Sequence, residues 1–531
     1  MTSSPASGRP AASPSLLQAI TSWRTLSVAL LSFSSGLPLG LLWIAIPDWM
    51  RNGGIDIRLV GLTTLAQAPY TFKMVWSPLM DRYTPPWMGR RRGWIAVAQI
   101  ALFVLVVSLA GVGDRPETVW VVLALAMAIA FASASQDIVI DAYAVDVLRR
   151  DEQGIAVGLR IALYRAAMFV AGGMAIWWAS LWSWPLVNVM LGCLFLPMLI
   201  VTRKAPEPEE HIARPASLRQ SVWLPFLGFL SRHRAVEILA FVFFYKFADQ
   251  LAQSLQRPFL IDMGYSDFDR GVSLSTIGLV ATLVGTFLGG ALTTSMGLGH
   301  SLWVFGLIQI VSNAGFILVS QSEINRPLMY GAMGFEALAT GLGMGAYGVL
   351  LLRMTQKRFS ATQYALFSSL FGLPRLIAGP ITGLTVHAVG WTTFFWCTMV
   401  AGLPGLVLLW RFVPPGTREP TFTVEPPRSR RPLASAALAG RGVVSAVVAG
   451  AGGLAVVGLL DALETWRRAA PVGEFALGPA FAGLFAPSGL PDWLRLFGVV
   501  VFAVVCGLFV AAVAAARHGA GMRVGDEDGL D

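Results

Sequence analysis

Nine ionised side chains sit inside segments otherwise apolar enough to cross a lipid bilayer: Lys73, Asp137, Asp141, Arg160, Arg165, Lys246, Asp249, Glu336 and Arg375. A charge at that depth is disfavoured by about 2.5–3.5 kcal/mol on insertion scales, and it is normally turned onto partners or a wet cavity through which something moves. Asp137 and Asp141 are four residues apart, on one helix face, with Gln136 one step round. Two carboxylates one turn apart in poor solvent compete for ionisation. One then holds a proton near neutral pH and gives it up when water arrives, which is what a proton-coupled carrier requires. The competing reading is that both pair with nearby Arg and only fix helix packing.

In the next span Arg160 and Tyr164 share a face at one-turn spacing, and Arg165 lies a further residue round. A guanidinium suits forked hydrogen bonds with a carboxylate and stays charged when buried. A rise of about 1.5 Å per residue brings Lys73, Asp137, Asp141 and Arg160 within a few turns of the same membrane face, with Arg165 nearer mid-depth. Gathered together, three cations and two anions favour an anionic substrate; alternatively they neutralise one another. Further on, FVFFYKFADQLAQSLQRPF places Lys246, Asp249 and Gln250 within one turn, followed by Gln253 and Gln256. Lys246 and Asp249 can satisfy each other, yet the stripe running on through Gln253 suits a helix that walls a watery cavity. Glu336, about three turns into its own span, is a further proton-carrying candidate beside Asp137, Asp141 and Asp249.

These side chains need a polytopic membrane scaffold, and the composition supplies one. The chain of 531 residues is 55% hydrophobic and 13% charged, against about 25% charged in soluble domains. The net charge of +9 is spread through short loops, which argues for topology rather than nucleic-acid binding. Cys193, Cys397 and Cys506 lie singly in apolar runs without neighbouring His, so no disulfide and no metal site is expected. Apolar stretches of about 20 residues begin near 26, 59, 94, 119, 156, 185, 236, 273, 301, 328, 363 and 391, with two more near 442 and 493. The expected order is a disordered cytoplasmic tail (1–25), a six-helix bundle (26–202), a linker (203–235), a second six-helix bundle (236–412), a Pro/Arg linker (413–441), two additional transmembrane helices (442–516) and a tail (517–531). The excess of Lys and Arg in alternate loops puts both termini in the cytoplasm. A shift of about 210 residues between the halves aligns Gly61 with Gly271, Gln153 with Gln363, Leu163 with Leu373, Arg165 with Arg375 and Gly173 with Gly383. Repeated six-helix halves around a midplane site are a secondary-transporter architecture. SFSSGLPLGLLW and GFEALATGLGMGAYG are dense in small residues that let helices approach closely, and Pro38 is expected to disturb its local ladder.

KMVWSPLMDRYTPPWMGRRRGW resembles the loop between the second and third helices of major facilitator transporters, stretched here by TPPWM. The resemblance makes Asp81 and Arg82 a cytoplasmic gate. SGLPLGLLW (35–43), KMVWSPLMDRY (73–83), SQDIVIDAYAVDVL (135–148) and GLRIALYRAAM (158–168) together resemble the AmpG muropeptide permeases, over roughly residues 26–412. That resemblance implies a major facilitator fold and import of anhydro-muropeptides (GlcNAc-1,6-anhydro-MurNAc, with or without stem peptide) across the bacterial inner membrane. It also implies proton symport with no cofactor beyond the gradient, a place in peptidoglycan recycling and β-lactamase induction, and a fourth-helix polar motif at Gln136, Asp137 and Asp141. For that cargo, Arg160, Arg165 and Lys246 would meet carboxylates, and Gln136, Gln250 and Gln253 amides and hydroxyls. Trp43 and Tyr164 would lie against sugar faces, with Lys73 and Arg375 as further binding candidates. A monomer in lipid is expected. Two readings compete: a carrier of another anion, such as the related acetyl-CoA transporters handle, and a membrane-embedded transferase. Against the transferase, the five His fall in or near loops and no nucleophile constellation accompanies the carboxylates.

Overall fold

The computed structural model describes residues 20–56, 59–60, 62–112, 118–207, 218–230, 232–422, 433–469, 478, 483 and 489–520. Among these, eleven helices are long and apolar enough to cross a membrane: Trp23–Asn52, Arg90–Leu109, Val119–Val147, Gln153–Leu181, Trp184–Lys204, Phe268–Met296, Leu298–Gln321, Arg326–Met354, Val389–Phe412, Ala436–Leu459 and Leu496–His518. The sequence leads one to expect fourteen. The other three are helical but broken or polar. The second span is divided into a 3-10 turn Leu62–Gln67, a helix Ala68–Phe72, a 3-10 turn Lys73–Val75 and a helix Ser77–Arg82. Pro69 and Pro78 each stand at the start of a helical piece, where a missing N–H costs nothing. The seventh span is a helix Ala235–Ser254 carrying Lys246 and Asp249, continued by Gln256–Asp262. The eleventh opens the long helix Ser360–Phe412, which turns at Gly390 (φ 77°, ψ 168°), a backbone setting only glycine takes without strain. Counting these three, spans are numbered first to twelfth in chain order below.

By contact the chain forms two compact units, Met1–Ser221 with Val236–Thr421, and Val222–Ala235 with Phe422–Asp531. In the larger unit the first span packs on the fifth and the third on the fourth and sixth, while the eighth and ninth pack on the tenth. The two sixes meet where the fifth span lies against the eighth and tenth, and where the eleventh lies against the fourth and second. Glycine sets these approaches. A Cβ on Gly36 or Gly40 would collide with the carbonyls of Tyr164 or Met168, and one on Gly290 would strike the Gly154 carbonyl across the seam between the sixes. Pro38 does not end its helix; a π turn, Leu41–Ala45, follows within the next turn and absorbs the disturbance. Each six has an apolar core of its own, with Trp49 stacked on Trp184 at 5.7 Å in one and Phe316 on Phe395 at 4.8 Å in the other.

In the smaller unit Ser435–Ala469 packs along Leu490–Ala515, with Gly442 close to Gly507. The inter-bundle segment expected as a plain linker contains a helix, Leu218–Leu230. Parts of the expected tails and linkers lie outside the described residues (1–19, 208–217, 423–432 and 521–531), as does most of the stretch between the last two helices.

Candidate functional site

Lys73 stands where the second span is broken, which frees its ammonium to point at the fourth span. It lies 2.5 Å from Asp137 Oδ2 and 3.5 Å from Asp141 Oδ2. Arg160 donates to Asp141 Oδ1, and Ser35 Oγ donates to Asp137 Oδ1 at 3.0 Å. The four side chains foreseen as one cluster do meet, and they do so as two cations on two anions. Their net charge is zero, so the group offers no surplus to an anion. Arg160 also lies over the Tyr364 ring at 5.7 Å, reaching into the other six. Gln136 is fully buried and donates to Ser34 Oγ at 2.7 Å, which also receives Gln99 at 3.3 Å. It therefore joins the packing of the first, third and fourth spans, because one helix step turns it away from the face that Asp137 occupies.

Arg165 stands apart from that cluster. The charge of Arg375, its equivalent in the repeat, acts on it from the opposite six. Arg375 is exposed and lies over the Trp43 ring at 5.7 Å; Arg165 is half-buried with Tyr164 next to it in the chain. Among the described residues neither guanidinium has a carboxylate partner or a hydrogen bond. A guanidinium without a carboxylate partner is suited to forked hydrogen bonds with a carboxylate, and here one comes from each six, with Arg375 over Trp43 and Arg165 next to Tyr164 in the chain.

The second six carries its own network. Lys246, buried, donates to Asp249 Oδ2 at 2.9 Å, to Gln309 Oε1 and to the Thr340 carbonyl at 3.3 Å. Glu336 Oε1 accepts from Gln253 Nε2 at 2.6 Å and Thr340 Oγ1 at 3.0 Å, and Oε2 accepts from Gln256 Nε2 at 3.2 Å. Gln250 is half-buried and makes no hydrogen bond among the described residues. Lys246 is thus consumed by its neighbours.

At the end rich in basic residues, Asp81 is fully buried and bridges the sixes. It accepts from Arg90 at 3.0 Å and Arg91 at 2.9 Å, and across the seam from Thr362 N at 2.8 Å and Thr362 Oγ1 at 2.7 Å. The free N–H groups that open the eleventh span are capped by a carboxylate from the other half. Arg91 also reaches Asp146 at 2.7 Å and Ser360 Oγ at 2.6 Å, and Arg353 reaches Gln153 at 3.2 Å. Arg82 is not part of this network; its guanidinium lies 5.7 Å over the ring of Tyr83. The expected partner was the wrong arginine, because the helix Ser77–Arg82 ends at that residue and turns it off the buried face.

Sequence reading missed Ser34, Gln99, Gln309, Thr340, Arg90, Arg91 and Asp146. Gln309, a lone amide in an apolar span, gave the same signal as the intramembrane charges. GRRRGW was visible as a basic run, but nothing local showed which arginine turns inward. Among the described residues no three His, Cys, Asp or Glu side chains come close enough to hold a metal ion.

Comparison with known proteins agrees with this architecture. Residues 28–373 match the Major Facilitator Superfamily model. The anhydromuropeptide permease of Escherichia coli K12 is 41% identical over 388 residues, covering 73% of this chain and 79% of that protein. A putative transporter, AmpG 4, of Rickettsia felis is 29% identical over 398 residues, covering 73% of this chain and 96% of that one. Among solved structures, the human organic anion transporter MFSD10 superposes with a TM-score of 0.58 at 14% identity, over 73% of this chain and 99% of that one. A bacterial ferroportin homologue in an outward-facing state superposes with a TM-score of 0.53 at 15% identity, over 73% and 98%. These relatives are permeases and transporters rather than enzymes. The chain is a multi-pass membrane protein of the major facilitator superfamily and belongs within it to the AmpG family of permeases.

Proposed function

We propose that the protein imports anhydro-muropeptides across the bacterial inner membrane into the cytoplasm, by proton symport and alternating access, with both termini and the Asp81 network on the cytoplasmic side. The observation that carries this reading is the pair Arg165 and Arg375, one from each six and neither neutralised among the described residues. Every anhydro-muropeptide bears at least one carboxylate on its lactyl group or stem peptide, next to sugar rings. Identity of 41% over 388 residues to a protein named an anhydromuropeptide permease supports the same cargo.

The geometry suggests how binding drives movement. Without cargo the two guanidiniums repel and hold the halves apart at mid-depth. A carboxylate between them converts that repulsion into two attractions and draws the halves together on its side. At the other end the Asp81 network then has to part, so binding free energy opposes latch free energy. The neutral cluster of Lys73, Asp137, Asp141 and Arg160 holds the second, fourth and fifth spans as one body during this movement.

Uptake of radiolabelled anhydro-muropeptide into right-side-out and inverted vesicles, under an imposed pH gradient, tests cargo, direction and coupling together. Accumulation in right-side-out vesicles, competed by unlabelled anhydro-disaccharide, is the expected result. Competition by acetyl-CoA in its place would establish the alternative carrier, and absence of accumulation would refute the import reading.

A further inference from the structure

Four buried carboxylates were candidates for the coupled proton, and the structure separates them by their partners. Asp137 has Lys73, Asp141 has Arg160 and Lys73, and Asp249 has Lys246. Protonating any of these would leave an excess positive charge in its ion-pair group, and removing one partner of a buried pair costs about 3–5 kcal/mol. Glu336 differs. It is 4% exposed, and its three donors, Gln253, Thr340 and Gln256, are all neutral. Three hydrogen bonds stabilise its ionised form, but among the described residues no countercharge does, so gaining a proton there leaves no unpaired charge behind.

The groups shown to act on Glu336 fit this distinction. From the seventh span the charged group whose field reaches it is Asp249, itself held 2.9 Å from Lys246. On the ninth span the neutral Gln309 is bound to Lys246. On the eleventh span, Thr382 pairs with Ser254 at 2.9 Å. The cation of the eleventh span, Arg375, lies over Trp43 instead.

Glu336 also sits at a mechanical joint. The seventh span breaks at Leu255 (φ −124°, ψ 30°), between Gln253 on the long helix and Gln256 on the short helix Gln256–Asp262. One carboxylate therefore clasps both sides of the break. On the short helix, Phe259 packs against Phe316, Trp391 and Phe395 at 6.0, 5.2 and 4.9 Å, in the apolar core of the second six.

We propose that Glu336 picks up and releases the coupled proton, and that Gln256, across the helix break, senses its charge. The proposal rests on the reading of the protein as a proton-driven carrier and assigns the proton within it. A proton from water on the outer side binds Oε2, the oxygen with the single and longest bond. That oxygen then becomes a donor, so Gln256 must turn its amide to accept or let go, which frees the short helix and Phe259 to move. Loss of the same proton to cytoplasmic water restores the clasp.

The test uses the full-length protein in proteoliposomes with radiolabelled anhydro-disaccharide, comparing wild type, Glu336→Gln, Asp137→Asn and Asp249→Asn. For wild type, a one-unit pH gradient is expected to give about tenfold accumulation if one proton accompanies each cargo, since one unit is about 1.4 kcal/mol. Glu336→Gln is expected to keep gradient-free exchange of labelled for unlabelled cargo, to accumulate none, and to lose the pH dependence of exchange. Gradient-driven accumulation by Glu336→Gln would overturn the proposal. Wild type that exchanges cargo but ignores the gradient would instead remove the coupling reading on which the proposal rests. If Glu336→Gln loses exchange as well, infrared difference spectra decide. Wild type is expected to show a carboxylic-acid C=O band that is lost on alkalinisation and is missing from the variant; persistence of that band in the variant refutes the assignment.

Discussion

Replacing Asp81 by Asn should shift the protein away from the state in which its basic end is closed. Asp81 receives two short charge-assisted hydrogen bonds from the opposite half, from Thr362 N at 2.8 Å and Thr362 Oγ1 at 2.7 Å. Hydrogen bonds to charged groups contribute about 1.5–3 kcal/mol each. Asn keeps one acceptor oxygen and presents an N–H₂ where a second acceptor is needed, so the closed state should lose about 2–3 kcal/mol, a 30–150-fold change in the closed-to-open ratio. The pairs Arg91–Asp146 and Arg91–Ser360 remain, so the fold itself is expected to survive. Spin labels at Arg150 and Lys357, both exposed and in different halves, would report the change by pulsed electron–electron distance measurement, after replacing Cys193, Cys397 and Cys506 with Ser. A long-distance population should grow from minor to dominant. An unchanged distribution in folded protein would refute the view that this carboxylate latches the two halves.

Arg165→Gln and Arg375→Gln should each raise the KM for anhydro-muropeptide uptake about 10–100-fold through loss of a charge-assisted bond, and the double variant should cost less than the product of the two, because both guanidiniums hold one carboxylate; full additivity would argue for separate sites. Lys73→Met alone should destabilise by about 3 kcal/mol or more by stranding carboxylates, whereas Lys73→Met with Asp137→Asn should recover much of that loss, as measured by thermal unfolding in detergent; a double variant worse than the single would contradict the ion-pair account. Gly290→Val should block transport while leaving the protein in the membrane, because its side chain meets the Gly154 carbonyl at the seam; uptake at the wild-type rate would show that the close approach is dispensable. Truncation after residue 422 should leave uptake intact, since residues 28–373 carry the family match and the smaller unit is separate by contact; loss of uptake by a stably inserted truncate would give the last helices a role in transport.

How much was legible beforehand depended on the range of the interaction. Hydropathy determined the class of the protein and the approximate start of the eleven helices long and apolar enough to cross the bilayer, because a helix must cover the bilayer by itself. Rise per residue suggested that Lys73, Asp137, Asp141 and Arg160 come together, and they do meet. The repeat aligned Arg165 with Arg375, and the charge of Arg375 acts on Arg165 from the other half.

Partner choice was not legible. Lys73 and Asp137 are 64 residues apart, and Asp81 and Thr362 are 281 apart. Periodicity places neighbours within one helix but says nothing of the rotation of that helix about its axis, or of which foreign helix faces it. For that reason Gln136 was expected in the cavity and is packed against Ser34, and Arg82 was expected at the gate where Arg90 and Arg91 stand. The sequence by itself determined which residues carry charge in the membrane and how deep they lie. Only the tertiary structure decided which charges cancel, leaving two guanidiniums without a carboxylate among the described residues and Glu336 with neutral donors alone, because neutralisation in a low-dielectric interior depends on a contact within a few ångströms.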